Sequence, residues 1–263
     1  MLKNTALVDW YFSYRLNRFL EYAFDKVLGC EWRWHRYEWQ SRDSIHAHGT
    51  ARLKNDAGLV NLTAQVYHGE LIRQKYPESE SIEHREIISK SIQSKKRLIT
   101  YIDTLVTAMN EDNFAARDQE IPMIHPACID ISLIERSQIP DHYTELINCT
   151  QRHVCRKEGY CSIKKKSTKT TQQCRFGYPF EQKTQTEISF TQTNTTIKAH
   201  CNLARNDPYM NQHIPFVAHH WRANVDSQPI LDYRAAVEYM VKYATKGKLK
   251  SQINIIHKKL KLN

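Results

Sequence analysis

The sequence predicts an α+β fold: an antiparallel sheet flanked by helices and interrupted by a cysteine-rich insertion. Three observations predict it. The polar segment Ser41 to Ser44 separates residues 31–39 from residues 45–53, and both flanks alternate as strands of a hairpin do. Stretches 5–28 and 59–116 carry apolar residues at three- and four-residue steps, the period of a helix. Five cysteine and histidine side chains crowd the 26 residues from Cys149 to Cys174, denser than an ordinary core requires.

Each element follows from its own pattern. In 5–28, Leu7, Val8, Tyr11, Phe12, Tyr14, Leu16, Phe19, Leu20, Ala23, Phe24 and Val27 form the repeating set, and their aromatics are expected in the core. The strand pair carries Trp32, Trp34, Tyr37 and Trp39, and packing is expected for most of these rings. Residues 59–116 read as helical and structural, with Ile87, Ile88, Ile92, Leu98, Ile99, Ile102, Leu105 and Val106 spaced among charges. The run Lys95, Lys96, Arg97 reads as a solvated face. Residues 187–199 alternate Ile188, Phe190, Thr196 and Ile197 with polar residues, a strand signature; Asn202 to Pro208 breaks the chain, and Phe216 to Trp221 suggests another strand. From Tyr233 the pattern turns helical until Gly247, a natural stop, with Ala236, Val237, Met240, Val241 and Ala244 as its apolar face.

Composition narrows the function. Thirty-eight Lys and Arg against 28 acidic residues leave a net charge of +10, which favours a polyanionic partner. Seven cysteines, an odd number, argue for a reducing compartment and a metal site rather than a disulfide framework. No apolar run is long enough to cross a bilayer and no signal peptide opens the chain, so no membrane role is expected.

Two clusters carry chemistry. On a strand, His46 and His48 project to one side, and Glu38 and Gln40 obey the same alternation on the segment before. Two histidines and a carboxylate or amide oxygen meeting across the hairpin suit Mg²⁺ or Mn²⁺ beside a phosphate. Far along the chain, Tyr239 and Tyr243 are four residues apart and share a helix face, with Lys246 one turn further. The second cluster is Cys149, His153, Cys155, Cys161 and Cys174, five candidates for a tetrahedral Zn²⁺ that needs four. The loop it would close, Lys164 to Lys169, is polar and basic and could present lysines to a DNA backbone.

His46-Ala47-His48 followed by a Tyr-x-x-x-Tyr helix resembles the HUH endonuclease signature of two-tyrosine replication initiators. The words Arg36-Tyr37-Glu38-Trp39-Gln40-Ser41-Arg42, Cys174-Arg175-Phe176-Gly177-Tyr178-Pro179, Trp221-Arg222-Ala223-Asn224-Val225-Asp226 and Val241-Lys242-Tyr243-Ala244-Thr245-Lys246 are similar to the Helitron-like N-terminal domain of rolling-circle transposons. They cover most of the chain, in that family's order.

The resemblance implies an HUH-type sheet whose histidine site holds Mg²⁺ or Mn²⁺. It implies metal-dependent nicking and joining of single-stranded DNA through a 5′-phosphotyrosine, with two tyrosines for two sequential strand transfers. It picks His153, Cys155, Cys161 and Cys174 as the zinc ligands and leaves Cys149 spare. Unperturbed tyrosine ionises near pH ~10, so Lys242 and Lys246 are candidates to ease its deprotonation. Arg42, Lys164, Lys165, Lys166 and Arg222 are the expected DNA contacts. On this reading 1–148 is the histidine part with a helical insertion, 149–186 the zinc insertion, 187–250 the tyrosine part and 251–263 a basic tail. An intracellular location is expected, the nucleus in a eukaryote.

The sequence departs from that family where Arg42-Asp43 replaces Arg-Gly and Ile45 replaces a proline before the first histidine. An apolar F-x-T strand before helix 5–28 and the helicase that normally follows are expected to be missing. The chain therefore reads as a fragment of a larger transposase, of marginal stability. The alternative is a catalytically degenerate, zinc-containing nucleic-acid-binding module.

Overall fold

In the computed structural model of the chain, residues 5–39, 45–111, 123–155, 161–164, 172–192 and 197–244 are described. The fold is α+β, and its described strands pair into three antiparallel two-stranded sheets. The chain divides into two compact units, Met1–Ala64 with Ile230–Asn263, and Gln65–Pro229. The sequence divisions expected at 148, 186 and 250 do not coincide with these boundaries. The histidine hairpin and the tyrosine helix share the first unit, and residues 65–229 intervene.

In the first unit, helix α1 (Thr5–Phe19) continues as a π-helical segment, Leu20–Val27. Leu16, Leu20 and Ala23, spaced by four and three, are the residues it buries. Leu7, Tyr11, Tyr14 and Val27, expected in the core, are exposed. Gly29, at φ 66° in the left-handed region, turns the chain into strand β1 (Cys30–Trp39). Two hydrogen bonds from Arg33 to Asp25, at 2.8 and 3.0 Å, tie β1 to the π segment and hold the Asp25 carboxyl below its usual range. Trp39 donates to Asp9 at 3.0 Å and Tyr37 meets Phe12 edge-on. Of the four β1 rings none is fully buried, and Trp32 and Trp39 are exposed, contrary to the expected packing.

Strand β2 (Ile45–Leu53) pairs antiparallel with β1. Asp56 then accepts from the Gly58 and Leu59 amides and caps helix α2 (Leu59–Lys75), which from Gln65 onward belongs to the second unit. Helix α6, residues 233–244, closes the described part of this unit. Its inner face differs from expectation: Ala236, Met240, Tyr243 and Ala244 are half-buried, whereas Val237 and Val241 are each 53% exposed.

In the second unit, α3 (Ile82–Leu105) buries Ser91, Ser94, Leu98 and Ile102. The helical stretch expected over 59–116 is broken at residues 76–81, which include Pro77, and is not helical over 106–111, while 112–116 lie outside the described residues. Ile92, expected on the apolar face, is exposed. After α3 the chain turns extended, and Thr107 and His213 exchange backbone hydrogen bonds of 2.9 Å. Helix α4 (Ile139–Thr150) contributes Ile147 to a small core with Met210 and Ala218. Short strands β3 (Ser162–Lys164) and β4 (Gln172–Cys174) pair with each other. So do β5 (Glu187–Gln192) and β6 (Ile197–Asn202), as the alternation at 187–199 anticipated.

Residues Phe216 to Trp221, read from sequence as a strand, lie instead in helix α5 (Pro215–Trp221). Pro215 at the first turn presets a helical φ and lacks the amide hydrogen that position would leave unbonded. The helix also buries Val217 and Ala218 on one side, which an alternating strand would not. Arg222 ends it at φ 59°.

Candidate functional site

The hairpin register sets the first site. Glu38 lies opposite His46 and Arg36 opposite His48, so all four side chains share one face of β1 and β2. His48 Nε2 stands 2.8 Å from Glu38 Oε2, an ion-pair distance within a half-buried surrounding. Its other nitrogen, Nδ1, lies 3.2 Å from the Tyr239 hydroxyl, and its ring stacks on Tyr243 with centroids 3.8 Å apart and planes 19° apart. The two phenol rings are 4.7 Å apart and tilted by 54°, so they meet obliquely beside the imidazole and do not stack in parallel. Their i, i+4 spacing on α6 produces this, since one helical turn separates them on one face.

One further contact joins the helix to the hairpin, and another lies within the helix. Arg36 donates to the Ala244 carbonyl near the end of the described helix. Lys242 Nζ lies 5.7 Å from the Tyr243 ring centroid, a cation–π distance. Gly49, next to His48, leaves no space for a side chain, since a Cβ there would stand 2.7 Å from the Trp34 carbonyl oxygen. Arg36 was missed as a site residue, although its place two residues before Glu38 puts it on the same strand face.

Glu38, His46 and His48 supply oxygen and nitrogen donors of the kind Mg²⁺ or Mn²⁺ accepts. Among the described residues, however, the three are not gathered into a convergent metal group. The expected fourth ligand, Gln40, lies outside the described residues, as do Arg42, Lys165, Lys166, Lys246 and the tail 251–263. Of Lys164 only the backbone, in β3, is described.

The second site lies in the second unit. His153, Cys155, Cys161 and Cys174 bring their ligand atoms within 4.8 Å of one another. Pairing of Ser162 with Cys174 places Cys161 beside Cys174, and the Arg175 amide donates to the Cys161 carbonyl at 2.7 Å. His153 follows α4 and is positioned by its amide bond to the Tyr209 carbonyl, 2.8 Å. Its Nε2 is 3.4 Å from Cys174 Sγ. A tetrahedral zinc with bonds of ~2.0–2.3 Å holds its ligand atoms roughly 3.5–3.8 Å apart, so this set could hold such an ion. Cys149, the fifth candidate, is outside the group. All seven cysteines are free of disulfides.

The electrostatics suit a cation. Burial lowers the His153 imidazole pKa, which favours the neutral form a metal requires. Burial and the neighbouring Cys174 and Cys161 thiols push Cys155 up to about 11. At Cys174, burial raises the pKa but is outweighed by the Phe176 and Tyr178 amides and the adjacent thiols. Thiols this close cannot all ionise unless a positive charge offsets them. Tyr178 stacks on His153 at 4.3 Å and 14°, fixing the ring's orientation.

Arg222, expected to contact DNA, is half-buried in this unit. Its guanidinium donates to the Pro126 and Ile129 carbonyls and lies 3.3 Å from His142 Nε2. A buried pair that sequence reading missed, Arg152 with Asp207 at 2.7 Å, is completed by Asn110. No short-range signal marks it, since its partners are 55 and 97 residues from Asp207 in sequence.

No family model, curated protein or solved structure matches the chain.

Proposed function

We propose that the chain nicks and rejoins single-stranded DNA, using Tyr239 and Tyr243 as nucleophiles in the manner of Helitron-like HUH transposases. The observation that carries this reading is the joint placement of Tyr239 and Tyr243 on His48, across 191 residues of sequence for the first tyrosine. Core packing alone would not require the Tyr239 hydroxyl 3.2 Å from an imidazole nitrogen.

In the proposed reaction a tyrosine Oη loses its proton and attacks phosphorus in line. The bond from phosphorus to the 3′ oxygen breaks, that oxygen takes up a proton, and the 5′-phosphate remains on the tyrosine. His48 holds Tyr239 through its hydroxyl and covers one face of Tyr243, keeping both phenols at one place on the hairpin. Lys242 adds positive charge beside Tyr243. A divalent ion bound by Glu38, His46 and His48 would supply charge to the non-bridging phosphate oxygens. Rolling-circle transposition, fusion to a helicase and a nuclear location follow from the family resemblance and belong to this same proposal.

The test is a denaturation-resistant adduct with labelled single-stranded DNA and Mn²⁺. We expect it in the wild-type chain, its loss in His46→Ala/His48→Ala, and its reduction by at least ten-fold in Tyr239→Phe or Tyr243→Phe, roughly the loss of one nucleophile's contribution. An adduct that survives both the histidine change and the double tyrosine change would sink the assignment. The engagement of both His48 nitrogens favours a second reading, a nucleic-acid-binding module without chemistry. Salt-dependent DNA binding with no adduct would select it.

A further inference from the structure

Beside the Cys/His cluster the second unit contains an open cleft of about 1050 Å³. That is at or above the ~300–1,000 Å³ usual for small-ligand pockets, so it offers room for a length of polymer. Phe176, Tyr178 and Phe180 line it, with Lys183, Arg205 and Gln212 among the polar groups. Tyr178 stacks on His153 at 4.3 Å and lies parallel to Tyr209 at 6.4 Å, its hydroxyl directed to the Asn211 side-chain oxygen at 3.4 Å. Phe176 and Phe180 are different: they remain 42% and 39% exposed. Each is backed by a guanidinium, Arg175 at 4.9 Å from the Phe176 centroid and Arg205 at 4.7 Å from that of Phe180. Half-exposed rings backed by arginine form stacking platforms.

Charge narrows the occupant. Among the charged side chains that line the cleft, Arg152, Lys183, Arg205 and Arg222 outnumber Glu181 and Asp226. A ligand that is at once polyanionic and flat-faced matches both features. In a duplex the base faces are stacked on each other and unavailable to side chains, so the strand must be single.

We propose that this cleft takes unpaired bases of single-stranded nucleic acid, with Phe176 and Phe180 as stacking platforms. It deepens the strand-transfer reading by giving the strand a second anchor, and rests on that reading for the preference for DNA over RNA.

The test uses the full chain carrying Tyr239→Phe and Tyr243→Phe, so that covalent chemistry adds nothing to binding. Affinity for labelled oligothymidylate is measured by anisotropy across a salt series, alongside the equivalent RNA, a duplex and polyglutamate. Phe176→Ala and Phe180→Ala are each expected to weaken oligothymidylate binding roughly ten-fold, the scale of one lost base stack, with the salt slope unchanged. Phe→Trp at either position is expected to restore it. Because both rings are partly exposed, their removal opens no sealed cavity, and melting and metal content verify the fold of each variant. An independent readout is photocrosslinking of 5-iododeoxyuridine in the strand, expected within residues 175–183.

Binding that is indifferent to both phenylalanines, or crosslinks confined to other peptides, would overturn the proposal. So would duplex or polyglutamate binding as tightly with the same sensitivity. Tighter RNA than DNA binding would keep the cleft and remove the DNA preference. The two readings fail separately. Phenylalanine-dependent binding without adduct formation by the wild-type chain leaves the cleft and removes the nicking activity; an adduct with phenylalanine-independent binding does the reverse.

Discussion

Single residues in this protein take their roles from what surrounds them. His48 was legible as half of a His-x-His pair, but its contacts with Glu38, Tyr239 and Tyr243 were not, because they depend on the hairpin register and on a helix nearly two hundred residues away. His213 was read as nothing at all. It is 2% exposed, with Nδ1 2.9 Å from the Asn211 carbonyl, a contact that fixes the proton on that nitrogen in the neutral ring. Burial holds its pKa below the ordinary 6.5, against the smaller raising effect of that carbonyl. His142 and His219, in the same unit, are lowered by burial as well.

The consequence has a definite sign. Between the lowered folded pKa and 6.5, the unfolded chain binds a proton that the native one refuses. The stability is fully present above about 6.5 and is lost as pH falls through the folded value. Thermal melts from pH 7.5 down to 5 are expected to show a falling midpoint, with a shallower fall in His213→Gln. An equal slope in that variant would contradict the assignment.

Among the elements, α2 and α3 show how local sequence and packing divide the work. The sequence predicts a single helical stretch over 59–116, and the α3 face that meets α2 includes two serines. Ser91 donates to the Val66 carbonyl at 3.1 Å and Ser94 to the Gln65 side-chain oxygen at 2.6 Å. Small residues allow the close approach: a Cβ on Gly69 would stand 2.1 Å from the Ser91 Cβ. We expect Gly69→Ala to destabilise by about 1–3 kcal/mol, the usual cost of overpacking, and Gly69→Ala/Ser91→Gly to recover part of it. Chemical denaturation measures both; a neutral Gly69→Ala would mean the helices are free to part.

Helix α5 illustrates the opposite outcome. A short apolar run beside two histidines has no period long enough to separate helix from strand, and Pro215 with its tertiary neighbours decided it.

For the whole molecule, the distribution of the two sites matters most. The histidine–tyrosine face belongs to the first unit and the Cys/His cluster to the second. A metal held by His153, Cys155, Cys161 and Cys174 would join segments spread over residues 153–174, and its binding energy would become folding energy of that region. We expect about one zinc per chain after purification with zinc present, lost on Cys161→Ala or Cys174→Ala and kept in Cys149→Ser. Chelation is expected to lower hydrogen-exchange protection at the described amides of 153–174. Metal retained in both ligand variants would refute the set.

The sequence by itself determined the α+β class, the hairpin bearing His46 and His48, most helices and the crowding of cysteines. These are local signals: a period of two or near four, a turn between strands, and unusual residues close together. Tertiary structure alone decided that the His48 ring lies against Tyr239 and Tyr243 and that Arg222 donates to the Pro126 and Ile129 carbonyls. It also decided which surfaces remain exposed, leaving Val237 and Val241 of the tyrosine helix in solvent. The physical reason is range. Backbone periodicity is written over a few residues, whereas burial, ligand convergence and ring stacking are set by segments that meet only when the chain has folded.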